Sequence, residues 1–115
     1  MSNISPFQAT GPTVFLGVTA SSQQVVVANS GTIKAPSSVL VCNLSTNTVY
    51  LAFGSVTGVV AAIPAGGTPA LGVPVPAGTV ETFNLPGGDS TGTYIAAIAA
   101  VAGPSSVTFT PGEGA

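Results

Sequence analysis

Glycine and proline cut this chain into short pieces, and the pieces are made of residues that favour strands. Fifteen glycines and ten prolines stand among 115 residues. Between them lie runs of Val, Ile, Thr, Phe and Tyr, the residues that fit a pleated, half-buried surface. Glu, Lys, Gln and Arg are too scarce to build the polar face of a helix. The spacing predicts about eight strands. They run from Thr13 to Thr19, Gln23 to Ala28, Ser38 to Asn43, Thr48 to Phe53, Val56 to Ile63, Thr79 to Leu85, Thr93 to Val101 and Ser106 to Thr110. Ser38–Asn43 and Thr48–Phe53 read as the best hairpin, joined by the turn-prone Leu44-Ser45-Thr46-Asn47. Pro64 to Pro76 reads as a loop and Pro86-Gly87-Gly88-Asp89 as a turn, while Gly103-Pro104 joins the last two strands.

Alternation sorts the strands into faces. Val49, Leu51 and Phe53 share one face, as do Val107 and Phe109. Val80, Thr82 and Asn84 oppose Glu81, Phe83 and Leu85 with neither side clean. Half-buried strands with regularly spaced turns predict an all-β fold: one antiparallel β-sandwich or jelly-roll-like barrel over residues 13–115. Residues 1–12, with Pro6, Gly11 and Pro12, read as an extended N-terminal arm.

Charge narrows the partners. Only Lys34, Glu81, Asp89 and Glu113 carry a formal charge, 3% of the chain where an ordinary domain has roughly 25%. Yet 45% of the residues are hydrophobic, enough to bury a core. One lysine cannot neutralise a row of phosphates, so nucleic acid is excluded as a partner, and a basic membrane-surface helix fails for the same reason. The longest apolar run, Tyr94 to Val101, is too short to span a bilayer as a helix. Met1–Phe7 lacks a basic region followed by an apolar stretch, so the expectation is a product without a signal peptide, made and kept in the cytoplasm until it is assembled or released. A surface this poor in charge lacks the usual protection against sticking to neighbours. It suits assembly into a homo-oligomer, a trimer being one number in view, or into a larger lattice.

Chemistry has little to work with. With no His, neither a Ser-His-Asp nor a Cys-His site can form, and one cysteine without His makes no zinc site. Cys42, in the apolar run Val39-Leu40-Val41-Cys42-Asn43, reads as a small buried hydrophobe. Glu81 and Asp89 read as surface charges that discourage aggregation rather than as an acid pair. Gly87 to Gly92 has phosphate-loop-like glycine spacing without the lysine, which leaves a plain turn. Lys34 reads as a solvated loop residue, and Asn3-Ile4-Ser5 and Asn43-Leu44-Ser45 as chance matches to a glycosylation sequon. The aromatics Phe7, Phe15, Tyr50, Phe53, Phe83, Tyr94 and Phe109 fall mostly at strand positions, where core packing is the usual role. The expectation is therefore a non-enzyme, with no catalytic, cofactor-binding or metal site.

Several segments taken together resemble a family. They are Val39–Asn43, Thr48–Gly54, Pro74-Val75-Pro76-Ala77-Gly78 running on to Phe83, Tyr94–Ala100 and Val107–Gly114 with its terminal Pro111-Gly112-Glu113-Gly114. This pattern resembles small accessory proteins encoded among tailed-phage virion genes. The resemblance starts at Val39; the first 38 residues carry none of it. It implies a bacteriophage virion component with a β-sandwich fold, a capsid decoration protein that stabilises the shell by contact with the major capsid protein or other virion proteins. The rival expectation is an oligomeric fibre or spike module that holds host glycan.

Overall fold

The computed structural model describes residues 7–67, 70–100 and 105–113. These form nine strands: β1 (Gln8–Ala9), β2 (Val14–Val18), β3 (Gln23–Val27), β4 (Ser38–Asn43), β5 (Val49–Gly54), β6 (Val73–Val75), β7 (Val80–Asn84), β8 (Thr93–Ala99) and β9 (Ser105–Glu113). Two sheets pack face to face. The first runs β1-β9-β4-β7, with β2 also on β9; the second runs β3-β8-β5-β6. All pairs are antiparallel, and they nest: β2 with β9, β3 with β8, β4 with β7, β5 with β6. That is the pairing of one long hairpin rolled into two layers, the jelly-roll form of the expected β-sandwich.

The core lies between the layers. Val39 and Val41 of β4, with Val107 and Phe109 of β9, meet Val27, Val49, Leu51 and Ile95 from the second sheet, all fully buried. Phe83 and Leu85 are half-buried against that core, so the Phe83 side of β7 faces in and Val80 and Thr82 face out. Phe53, expected inside, is half-buried at the margin, its ring centroid 5.5 Å from that of Phe83.

Four expectations need correction. The Ser38–Asn43/Thr48–Phe53 hairpin does not form: β4 and β5 lie in different sheets. The cause is Asn43, whose Oδ1 accepts from the Ser45 amide (3.1 Å) and hydroxyl (2.7 Å) and turns the chain out of the first sheet. Its Nδ2 donates to Asn47 O (2.8 Å), Val75 O (2.9 Å) and Pro76 O (3.3 Å), tying the β4–β5 corner to the β6–β7 corner.

Secondly, Val56–Ile63 is not a strand. It lies over the outer face of the second sheet, where side chains satisfy three of its amides and Ala62 N donates to Leu71 O (2.9 Å). Gln24 Oε1 accepts from Gly58 N (2.7 Å) and Val59 N (3.1 Å), and Ser22 Oγ from Ala61 N (2.9 Å). Small residues, Ala52, Ala61 and Ala96, let it approach, with Val59 and Ile98 packed alongside. Cover on this side explains why Thr93–Ala99 reads as continuous apolar sequence: both of its faces are buried. Thirdly, Pro64–Pro76 is not loop throughout, since Val73–Val75 pairs with β5 as an edge strand, the position that tolerates Pro74. Fourthly, Cys42 is half-buried rather than buried, because it faces away from the core.

The last strand runs past Thr110 to Glu113, and Pro111 does not break it. Thr10 N donates to Pro111 O (2.9 Å), so both backbone groups of Pro111 face β1 and β2, and the missing N–H costs the β4 ladder nothing. The described part of the expected arm, residues 7–12, lies along its own domain. Gln8 and Ala9 pair with Glu113 and Gly112, and Ser30 N donates to Thr10 O (2.8 Å). Residues 1–6, Val101 and Gly103-Pro104 lie outside the described residues.

Candidate functional site

The charged and nucleophilic side chains are dispersed. Glu81 stands on β7 of the first sheet, opposite Val41. Asp89 stands in the turn that leads to β8 of the second, where it closes that turn. Its carboxylate accepts from Thr91 N (2.9 Å) and from the Tyr94 hydroxyl (2.9 and 3.1 Å), and its own N–H donates to Gly92 O (3.0 Å). The Thr91 amide, then the Tyr94 hydroxyl, hold the Asp89 carboxyl below its ordinary value of 3.8. The same contact pushes the Tyr94 phenol up, since ionising it would break a bond to a carboxylate. Two amides of the Gly87–Gly92 segment are thus already engaged inside the turn. Lys34 is half-buried in the β3–β4 connection, where its carbonyl accepts from Asn29 N (2.8 Å). Among the described residues no three His, Cys, Asp or Glu side chains group as a metal site would need.

Asn43, of the second sequon, is 1% exposed and its Nδ2 is fully used, so it is a corner clamp with no room for a glycan. Asn3 lies outside the described residues. Of the seven aromatics, six are buried or half-buried and Phe15 alone is exposed.

What remains is a surface. The register sets one row across the outer face of the first sheet as Phe15–Thr108–Cys42–Val80. The next is Thr110–Leu40–Thr82, with Thr13 Oγ1 2.8 Å from Thr110 Oγ1 at its end. Beyond the first row Gly17 stands opposite Ser106, whose carbonyl accepts from Leu44 N (2.9 Å). No residue of these rows is charged. Phe15, Val80 and Leu44 are 64%, 60% and 65% exposed, and Leu40 and Cys42 are half-buried. The two sheets therefore differ. The second has the centre of its outer face covered by residues 55–63 of its own chain, which expose Val56 and Val60 in turn, whereas the first presents its strands directly, as an uncharged face of Phe, Leu, Val, Cys and Thr. Nothing in the sequence marks this face as outward: Cys42 reads there as buried, and no local signal says which sheet a distant segment would cover.

A second apolar feature opens beside the β6 and β7 edges, a groove of about 430 Å³ lined by Leu51, Phe53, Leu71, Val73, Leu85 and Pro86, with Asn84 the polar side chain on its wall. No protein-family model, no curated protein and no solved structure matches the chain.

Proposed function

We propose that this chain is a non-enzymatic structural protein of a tailed-phage virion, one that decorates and stabilises the capsid by seating the bare face of its first sheet on the major capsid protein or another virion protein. The observation that carries the reading is the contrast between the two outer faces. A contiguous apolar and hydroxyl face without charge is what a permanent, salt-insensitive protein contact uses. The resemblance of Val39–Gly114 to virion accessory proteins supplies the partner class; jelly-roll topology alone assigns none. The glycan reading draws less support, because stacking on sugar wants aromatics on exposed loops and the one exposed aromatic, Phe15, lies mid-strand on the bare face. Stabilisation would act by linkage, with the protein binding the assembled lattice better than free subunits. The test is to wash purified particles at low and at high sodium chloride and count bound copies. Retention at ~1 M salt, where the Debye length is roughly 3 Å, is the expected result. Release by moderate salt contradicts an uncharged contact, and release by free sugar transfers the case to glycan binding.

A further inference from the structure

We propose that two copies of this chain pair edge to edge through β7, antiparallel about a two-fold axis, so that their first sheets join into one. Among the described residues, β7 leaves the backbone groups of alternate residues without a partner strand. Asn43 N donates to Thr79 O and Leu85 N to Ser37 O, each at 2.9 Å. In an antiparallel ladder every second residue turns both its N–H and its C=O to the same neighbour. Thr79, Glu81, Phe83 and Leu85 therefore bond β4, while Val80, Thr82 and Asn84 turn theirs to the other side. Among the described residues no strand lies there, and all three residues are exposed.

The other edges differ from β7 in length, in continuity or in what their side chains hold. β6 is three residues long with a central proline. Two strands in tandem, β1 and β2, make the far edge of the first sheet, and the chain between them turns away at Thr10 to receive Ser30 N. β3, at the edge of the second sheet, gives Gln24 to the covering segment. β7 has only Glu81 as a deterrent.

The edge is complementary to itself. With Thr82 opposite Thr82 of the second copy, Val80 falls opposite Asn84 in both directions, and every free N–H and C=O of the three residues gains a partner. Glu81 then falls opposite Phe83 of the second copy, so the like charges are never directly paired. On the outer face Thr82 meets Thr82, a favoured cross-strand pair. Pairing also enlarges the bare face. Four strands about 4.8 Å apart and five residues long at about 3.3 Å each span ~300 Å² of sheet. A standard interface buries ~800 Å² of accessible surface from each partner, and two sheets side by side double the footprint that one copy offers towards it. This area argument rests on the docking reading; the free edge and its register do not.

The experiment uses the isolated chain, so this inference and the docking reading fail separately. Sedimentation across a dilution series should show the 11.0 kDa chain doubling in mass as concentration rises. Amide exchange at Val80, Thr82 and Asn84 should slow in step. Thr82→Pro removes an N–H that bonds nothing within one copy, so it should keep the fold by circular dichroism and remain monomeric throughout. Val80→Lys should weaken pairing, and Phe15→Ser, on the far edge of the same face, should leave it intact. A monomer up to the solubility limit overturns the proposal. So does a dimer indifferent to Thr82→Pro, or a trimer, which a self-paired edge cannot close. Protection of the three amides only when particles are added would assign the edge to another protein's strand and overturn it equally.

Discussion

Removing the Asn43 side chain should cost this domain more than any other polar substitution. In Asn43→Ala, the carbonyls of Asn47 and Val75 lose donors at 2.8 and 2.9 Å, Pro76 O loses one at 3.3 Å, and the Ser45 amide loses its acceptor. Val75 is fully buried, so water cannot replace what its carbonyl loses. An orphaned buried group costs ~1–3 kcal/mol and a partly solvated bond nearer ~1 kcal/mol, which gives ~3–5 kcal/mol in total. A domain of this size has ~5–15 kcal/mol in all. At about 4 °C per kcal/mol the melting temperature should fall by ~12–20 °C. Asn43→Asp is the sharper probe. It keeps the shape but aims a carboxylate at carbonyl oxygens, so it should match or exceed the alanine loss at neutral pH and recover partly as acid protonates it. Asn47→Ala, which loses only the 3.2 Å bond from Nδ2 to Ser105 Oγ, is the control and should cost ~1 kcal/mol. Thermal and urea unfolding followed by circular dichroism measure all three. A loss below ~1 kcal/mol for Asn43→Ala, or an Asn43→Asp chain as stable as the parent, would refute the claim that this amide clamps two corners together.

Phe109→Ala should cost ~3–5 kcal/mol in urea unfolding, and Phe53→Ala distinctly less, because Phe109 is fully buried and Phe53 half-buried; equal losses would misplace Phe53. Asp89 is held below its ordinary value, so its contribution to stability is present above the unfolded value of 3.8 and fades as pH falls through the lower folded value. The Tyr94 phenol, raised by the same bond, contributes below its unfolded value of 10.0 and loses that as pH rises through the folded one. Asp89→Asn should therefore destabilise at neutral pH and converge with the parent at the acid end of a stability–pH profile; a constant gap would contradict the assignment. Cys42, half-buried on the bare face, should react with a small maleimide in the folded chain and be shielded on particles, as mass spectrometry would show; no labelling before unfolding would place it in the core.

Strand positions were largely legible because alternation is a local property. Val107 and Phe109 point inward as their spacing requires, and the β-branched runs at Gln23–Val27 and Ser38–Asn43 lie within a residue of their expected bounds. What failed depends on distant partners. Leu44–Asn47 has hairpin chemistry, but the amide of Asn43 bonds Val75, more than thirty residues on, and turns the same residues into a corner. Val56–Ile63 has strand composition, but Gln24 and Ser22 hold it across a sheet rather than beside one. Val73–Val75 hides among glycines and prolines because an edge strand this short needs only β5 to define it. Cys42 misled because Val39–Cys42 is apolar on both faces, and nothing in that run says which face meets the core. The bare face was illegible for the same reason as the covered one: its exposure is decided by where residues 55–63 lie.

The outer face of the first sheet is proposed as the surface that docks on a virion protein. A cryo-electron microscopy map of purified particles carrying the chain tests it most directly. The predicted result is density for a jelly roll on the particle with Phe15, Leu40, Cys42 and Val80 pressed against a virion protein and residues 55–63 turned to solvent. Particles without the chain, or with the Phe15–Val80 row open to solvent, would contradict it.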